Sequence, residues 1–530
     1  MFKSENQYVL AIDLGTSGPK VALANLQGKI IASGSGSMET ILLPHGGAEQ
    51  DPQEWWRAIK SVTHDLLAQE TVPRENIAAI CCTTQWSGTV PVDRHGSPLM
   101  NAIIWLDSRG AEQIPRITGG PVKISGYGVN RLLTWIRLTG GIAGHSGKDS
   151  IAHILYIKHK HPDIYAETYK FLEPKDYLNL RLTGRFAASY ESITLHWLTD
   201  NRDINNIHYS DKLLRLSGVE REKFPDLKRA VDVLGLIKPE VAAELGLAED
   251  VQVIMGTPDM HSAAIGSGAV RDYEAHLYIG TSSWLSCHVP FKKTDVLHNI
   301  ASLPSAIPGR YFVVDEQETA GACLRYLKEN ILFHPDELTQ EMDQENVYQV
   351  FDRIVERTPA GSDRVIFAPW LNGERTPVDD HLSRAAFYNL SLRHTRQHLI
   401  RAVFEGVAFN ARWLLGYVEK FVGRSFPAIN IIGGGAASDI WCQIHADILN
   451  RPMHQMNDPL QANTRGAAIL AGVALGAITF DEVAQQVEVA REYQPNPAHR
   501  QLYDELFAAF LQIYKQNQKI YKRLNSRSAG

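Results

Sequence analysis

Short apolar runs of strand length alternate along this chain with longer stretches of helical periodicity, and several runs end in glycine, serine and threonine. Tyr8-Val9-Leu10-Ala11-Ile12 and Val21-Ala22-Leu23-Ala24 are apolar. The turn between them, Asp13-Leu14-Gly15-Thr16-Ser17-Gly18-Pro19-Lys20, makes residues 8–24 a predicted β-hairpin. Ala275 to Ile279, Gly280-Thr281-Ser282 and Ser283 to Cys287 repeat that strand–turn–strand pattern. Ile77 to Thr84 reads as a buried strand leading into a polar loop, and Val251 to Gly256 does the same, ending at Thr257-Pro258-Asp259. Ile429-Asn430-Ile431-Ile432 runs into Gly433-Gly434-Gly435-Ala436, then a helix from Ser438 through Asn450 with Ser438 or Asp439 as its cap. Another helix, rich in small residues, begins at Asn463. Leu502, Leu506, Phe510, Leu511, Ile513 and Tyr514 fall mainly at helical spacing and predict a final helix.

This alternation indicates α/β architecture. The recurring hairpin suggests one fold used twice, with the second copy starting near residue 256, so the expected domains are residues 1–255 and 256–530. Glycine is dense between Ile114 and Lys148, around a helical stretch Val129 to Ile136, and this reads as a cap insertion over about residues 114–190. No repeat of a few tens of residues stands out, so the chain is not a solenoid.

Composition narrows the class. A chain of 530 residues is too long for one core. With 44% apolar and 21% charged residues it is an ordinary globular protein. A net charge of −6 leaves no basic footprint for nucleic acid. The five cysteines include no Cys-x-x-Cys pair, so neither a disulfide framework nor a zinc site is implied. Met1 to Gln7 has no apolar signal core, and no uncharged run is long enough to span a bilayer, so a cytoplasmic protein without membrane contact is expected.

The hairpin at 8–24 offers backbone N–H groups, two hydroxyls, a carboxylate and a cation within a few residues. Phosphates need such donors close to the main chain, which glycine permits, and a bound Mg²⁺ needs a carboxylate directly or through water. Gly433-Gly434-Gly435 would let a nucleotide approach the backbone, with the following helix N-terminus adding partial positive charge. Each segment alone is also what a plain turn looks like. Asp259 alone reads as a cap for Met260 to Ala264, and His261 on that small-residue helix as structural. His159 and His161 read as a solvated face.

Taken in order, the two Gly-Thr-Ser hairpins, the loop ending at Asp259 and the Gly-Gly-Gly-Ala helix start resemble the FGGY family of carbohydrate kinases. Gln50-Asp51-Pro52-Gln53-Glu54-Trp55-Trp56, Ile104-Trp105-Leu106-Asp107-Ser108-Arg109, Pro174-Lys175-Asp176-Tyr177-Leu178 and Leu371-Asn372-Gly373-Glu374-Arg375-Thr376-Pro377 resemble further elements of that family. The likeness covers nearly the whole chain. It implies two actin-like (ribonuclease-H-like) domains, with ATP and sugar meeting in the interdomain cleft. By the same resemblance Asp259 is the catalytic base and Asp13 acts on Mg²⁺. Thr16, Ser17 and Lys20 then contact terminal phosphate, and Gly280 and Thr281 hold phosphate from the opposite wall. Gly434, Gly435 and Ala436 lie against the nucleotide, with Asn463 near the adenine.

Gln85, Trp86 and Ser87 fall in the loop that resembles the family's sugar-binding Gln-Met-His-Gly, with Trp86 and Ser87 in place of methionine and histidine. Trp86 either forms an apolar platform for a carbon chain or simply walls the cleft. Asp107 matches a sugar-facing loop and is either a hydroxyl acceptor or a turn former. The resemblance implies phosphorylation of a terminal hydroxyl of a ketose, with a pentulose such as xylulose first. Another polyol or a sugar acid (glycerol, erythritol, ribulose, gluconate) is the alternative. An actin-like ATPase or sugar sensor is the alternative from a different class. The expected partner is a small sugar or polyol, and a homodimer is compatible with the reading.

Overall fold

The computed structural model describes residues 7–334 and 346–526, so the N-terminal reading lies almost wholly outside the described residues. The first sheet has six strands, in the spatial order Val233–Leu236, Gln252–Pro258, Ile77–Thr84, Tyr8–Gly15, Gly18–Asn25 and Ile30–Ser35. Tyr8–Gly15 and Gln252–Pro258 both run parallel to Ile77–Thr84, which lies between them. Tyr8–Gly15 and Gly18–Asn25 form the expected hairpin, with Asp13 opposite Lys20. The second sheet has eight strands and contains the second hairpin, Ala275–Ile279 with Ser283–Val289. Ala275–Ile279 also pairs in parallel with Ile429–Ile432, which brings the second hairpin beside the strand that enters the glycine turn.

Both faces of the first sheet are covered. On one lies the helix Pro52–Leu67, which starts at Asp51, whose side chain accepts from the N–H of Gln53. Trp55, Trp56, Ile59, Val62 and Leu66 recur at three and four residues, so the helix buries one stripe against the sheet. On the other face Val9, Ala11 and Ala79 share a core with Ala264, Ala467, Ala468 and Leu470. The last three belong to the helix Ala462–Ala474, so a segment from the far end of the chain completes the first lobe's core.

That helix crosses the helix Asp259–Gly266 at backbone contact. A Cβ on Gly466 would stand 1.9 Å from the Ser262 carbonyl oxygen, and one on Gly266 would stand 1.8 Å from that of Ala462. The small residues are therefore required by the crossing. Ser262 Oγ donates to the Asn463 carbonyl at 2.8 Å, and Arg465 Nη1 donates to the Gly266 carbonyl at 3.0 Å.

The division expected at residues 255 and 256 needs correction, because it falls inside the strand Gln252–Pro258. That strand is hydrogen-bonded into the first sheet, and the helix after it packs in the first lobe's core. Gly256 marks a bulge instead: its φ is 67°, a Cβ there would lie 2.1 Å from the Cys82 carbonyl oxygen, and the strand register shifts between Ile254 and Thr257. The expected cap holds the helix Val129–Thr139, and the final helix runs over Arg500–Asn525.

Gly466→Ala should lower unfolding stability by about 1–3 kcal/mol, the usual cost of overpacking a tight contact. Denaturant unfolding of the purified protein measures this, and an unchanged midpoint would contradict the close crossing.

Candidate active site

Asp13 and Asp259 come up at the same edge of the first sheet, because the strands that carry them run parallel on either side of Ile77–Thr84. Asp13 is 4% exposed, and its Oδ1 has no hydrogen-bond partner among the described residues. Burial raises its pKa, against the opposing influence of Lys20 and of a side-chain hydrogen bond from Asn463. Asp259 is the first residue of its helix and takes the Met260 N–H on Oδ1 at 2.8 Å. The capping contact therefore exists, but it does not exhaust the carboxylate. Burial pushes the Asp259 pKa up to about 8, and the charges of Asp13 and Glu316 add to the rise.

The bulge that aims Asp259 is held from beneath. Lys175 Nζ and Asn179 Nδ2 both donate to the Met255 carbonyl, at 3.0 and 2.7 Å. Lys175 is fully buried and ion-paired with Asp176. Asp176 in turn accepts from Ser192 Oγ at 2.8 Å, and the Ser192 carbonyl accepts from the Trp86 indole N–H at 2.9 Å. One buried chain of polar contacts thus links the loop expected to meet sugar with the strand that delivers the acid. The Pro174-Lys175-Asp176-Tyr177-Leu178 motif was visible in the sequence, but this role was not.

Within that loop, Trp86 is pinned by Ser192 and meets the His261 ring edge-on at 5.4 Å, which favours the wall reading over a free platform. Both nitrogens of His261 are buried without partners among the described residues, and burial holds its pKa well below the ordinary value, so it is a neutral packing residue. Ser87 Oγ donates to the Lys148 carbonyl at 2.7 Å, and the Gly88 N–H donates to Glu173 at 2.9 Å. Gln85 Nε2 donates to Gln50 at 2.8 Å, and its Oε1 accepts from Thr16 at 3.1 Å.

Three expectations change here. The Thr16 hydroxyl donates to Gln85 and accepts from the Trp105 indole at 2.9 Å, so it braces the sugar loop, leaving exposed Ser17 as the hairpin's open hydroxyl. Asp107, 1% exposed, accepts from the Ala48 N–H at 2.9 Å and from the Arg109 N–H and Nε at 2.8 Å each. These donors take up most of its accepting capacity, so in this structure it shapes the loop. Asn463, expected near the adenine, lies close enough to Asp13 to lower its pKa, which puts it near that acid.

The phosphate-expected segments do converge. Lys20 Nζ reaches across to the Leu460 carbonyl at 3.4 Å. Gly433, with φ 89°, approaches so closely that a Cβ would lie 2.6 Å from the Ile279 carbonyl oxygen. The turn Gly434–Ala437 therefore lies directly beside Ile279 and Gly280, with Gly434 exposed and Gly435 and Ala436 buried. Thr281 is exposed and its Oγ1 accepts from Arg325 at 3.1 Å.

Sequence reading missed a set of charged groups between the lobes. Lys148 from the cap pairs with Glu318 at 3.1 Å, while Arg375 pairs with both Glu316 and Glu318. The Arg375 guanidinium lies over the Trp105 ring at 5.4 Å and the Lys148 ammonium at 6.0 Å. Burial and then Arg375 lower the Lys148 pKa, and burial pushes Glu374 up to about 7. The Gly373-Glu374-Arg375 run was the available signal; Lys148 carried none. Tyr278 was also missed. Its ring stacks on Trp284 at 4.0 Å, and burial raises its pKa, with the charges of Asp13 and Asp259 adding to the rise.

The N-terminal domain of the FGGY family of carbohydrate kinases matches residues 8–266, and the C-terminal domain of that family matches residues 276–475. The chain belongs to the FGGY family of carbohydrate kinases. It is 29% identical over 529 residues to the xylulose kinase of Bacillus subtilis (strain 168), covering 98% of this chain and 99% of that one. Among solved structures it is similar to a gluconate kinase from Lactobacillus acidophilus, at a TM-score of 0.84 and 25% identity, covering 98% of this chain and 99% of that chain. A ligand-bound xylulose kinase from Lactobacillus acidophilus follows, at 0.83 and 25% identity, covering 98% of this chain and 100% of that chain. This FGGY kinase thus has the two-domain actin-like fold and is an ATP-dependent sugar kinase.

The residues present suit what the family uses. Among the described residues no cluster of three or more His, Cys, Asp or Glu could hold a metal unaided. A Mg²⁺ arriving with phosphate oxygens would need one carboxylate, and Asp13, whose Oδ1 has no partner among the described residues, would be available to supply it. No helix among the described residues is long and apolar enough to cross a membrane.

Because the Asp259 pKa is raised, its proton-accepting form grows as pH rises. The kinase's kcat/KM for sugar should climb toward pH 8, and Glu316→Gln, which removes a raising charge, should move that limb to lower pH. The same shift means the fold gains from the bound proton at low pH and loses that gain as pH rises through about 8. A profile flat from pH 5 to 8, or a limb unmoved by Glu316→Gln, would contradict the assignment.

Proposed function

We propose that this kinase transfers the terminal phosphoryl group of ATP to a terminal hydroxyl of a ketose, with a pentulose such as xylulose as substrate. The observation that carries the reading is the pair Asp13 and Asp259 at one sheet edge, facing the adjoining glycine turns of the other lobe. When bound, ATP with Mg²⁺ supplies the phosphoryl group and part of the charge neutralisation.

The chain's own groups do the rest. Asp259 accepts the proton of the attacking hydroxyl through the carboxylate oxygen that Met260 leaves free. Asp13 holds the cation, while Ser17, Lys20 and the N–H groups around Gly280 and Gly434 bind phosphate oxygens. Gln85 and the wall formed by Trp86 and Trp105 orient the sugar, whose loop is fixed by Thr16, Gln50 and the buried Lys175–Asp176 pair. We also place the reaction in the cytoplasm.

A neutral substrate suits the charges better than a sugar acid. The charges of Asp13 and Glu316 both bear on Asp259, and Arg375, the nearby candidate for gripping a carboxylate, is already held by Glu316 and Glu318. The likeness to xylulose kinases supports the same choice, while Trp86 and Ser87 shape a sugar loop of this chain's own.

Asp259→Asn should lower kcat by about 10²–10⁴-fold with the Kd for ATP nearly unchanged. Turnover by ADP release and nucleotide binding by titration test this, and an equal loss of ATP binding would instead assign Asp259 to the metal. Across ketoses, polyols and aldonates, a ketose should give the highest kcat/KM. An aldonate exceeding every ketose would overturn the substrate class.

A further inference from the structure

Among the described residues, a single ion pair joins residues 8–266 to residues 276–475: Lys148 with Glu318, at 3.1 Å. Each half is held within its own lobe. Glu318 belongs to the second, where its N–H donates to Glu374 Oε1 at 2.9 Å and its Oε2 accepts from Arg375 Nε at 2.5 Å. Lys148 belongs to the cap, on a turn closed by Asp149, whose Oδ2 accepts from the Gly144 N–H at 2.7 Å and from the Trp197 indole N–H at 2.9 Å. With both backbones fixed, the pair forms only over the range of lobe separations that one lysine side chain can span.

The same lysine is tied to the loop expected to meet sugar. Its carbonyl oxygen accepts from Ser87 Oγ at 2.7 Å, and Ser87 has φ 62°, a left-handed conformation uncommon for a residue with a side chain. Its ammonium lies 6.0 Å from the centre of the Trp105 ring, whose indole N–H donates to Thr16, and the Thr16 hydroxyl donates to Gln85. Lys148 therefore meets the sugar loop with its main chain and the opposite lobe with its side chain. Other polar contacts from the second lobe to the cap do not reach that loop. Lys292 Nζ and Thr294 Oγ1 meet the carbonyls of Ile136, Arg137 and Gly140, at the C-terminal end of the helix Val129–Thr139.

Stability is a poor explanation for the pair. Only 20% of the Lys148 side chain and 7% of the Glu318 side chain is exposed, so both charges give up water to meet. Were the lobes to part, Lys148 would regain water while Glu318 kept Arg375. A contact of this kind returns little net stability, but it favours one arrangement of the lobes over others.

We infer that Lys148 is a positioning residue for phosphoryl transfer: by pairing with Glu318 it holds the sugar loop against the second lobe at the separation where sugar meets the phosphate turns. The inference rests on the reading that the loop Gln85–Ser87 meets sugar, and not on which sugar it is.

Steady-state kinetics of Lys148→Met, Glu318→Gln and the double variant test it, with whichever ketose, polyol or aldonate the unaltered kinase turns over fastest. Each single change should lower kcat/KM for sugar about tenfold, with the Kd for ATP held within about twofold. The double variant should lose no more than the worse single one, because either change already breaks the contact. Lys148→Arg, which keeps the charge but not the shape, should stay within about threefold of the unaltered protein, a rescue that a packing role does not predict. Losses that multiply in the double variant, single variants that match the unaltered protein, or an equal loss of ATP affinity would overturn the inference. Gln85→Ala checks the sugar-loop reading separately. If it leaves kcat/KM for sugar unchanged, that reading and the inference fall together; if it lowers kcat/KM while Lys148→Met does not, the inference falls alone.

Discussion

Two carboxylates sharing one cleft with limited access to solvent do not both stay ionised easily without positive charge beside them. Asp13 and Asp259 stand in that relation, and each has its pKa raised first by burial. Lys20 and Asn463 ease the strain on Asp13 but leave one of its oxygens unmatched. A cation beside Asp13, as proposed above, would complete that balance of charge. On the proposed reading, a cation bound there would lower the Asp259 pKa and so raise the fraction of Asp259 ionised and able to accept a proton.

Holding the acids together is a task for the whole molecule. Asp13 lies near the end of one strand of a hairpin, whereas Asp259 follows a bulged strand two places away in the sheet. Lys175 and Asn179 fix the bulge from below, and the same buried pair reaches Trp86 through Ser192. From behind, the helix Ala462–Ala474 presses on the Asp259 helix at backbone contact and presents Asn463 to Asp13. The two halves of the sequence thus meet at the acids as well as around them. The Lys148–Glu318 pair adds a second tie between the cap and the other lobe.

Much of this was legible in the chain. The strands, both hairpins, the Ser438 cap and the final helix follow from local alternation and turn chemistry, which act within a few residues. The residues that converge on the cleft were picked out by their order along the chain and the family resemblance it carries, since each glycine turn or acid alone also reads as an ordinary turn or cap. What was not legible depends on distant partners. Asp107 looks like a free carboxylate until Arg109 and the Ala48 N–H are seen to fill it. Thr16 looks like a phosphate ligand until Trp105 and Gln85 take its hydroxyl. Gly256 looked like a boundary, although its backbone approach to Cys82 makes it a bulge. Lys148, Tyr278 and Glu316 carry no local signature, since their roles come from groups more than a hundred residues away in sequence or across the cleft.

The most direct measurement is a crystal structure of the full chain with a non-hydrolysable ATP analogue, Mg²⁺ and a ketose. The account predicts an Asp259 oxygen within about 2.6–3.2 Å of the terminal hydroxyl of the sugar, with Asp13 on the cation side of the transferring phosphate. A sugar whose terminal hydroxyl is met by another group, with Asp259 serving only the Met260 N–H, would contradict it.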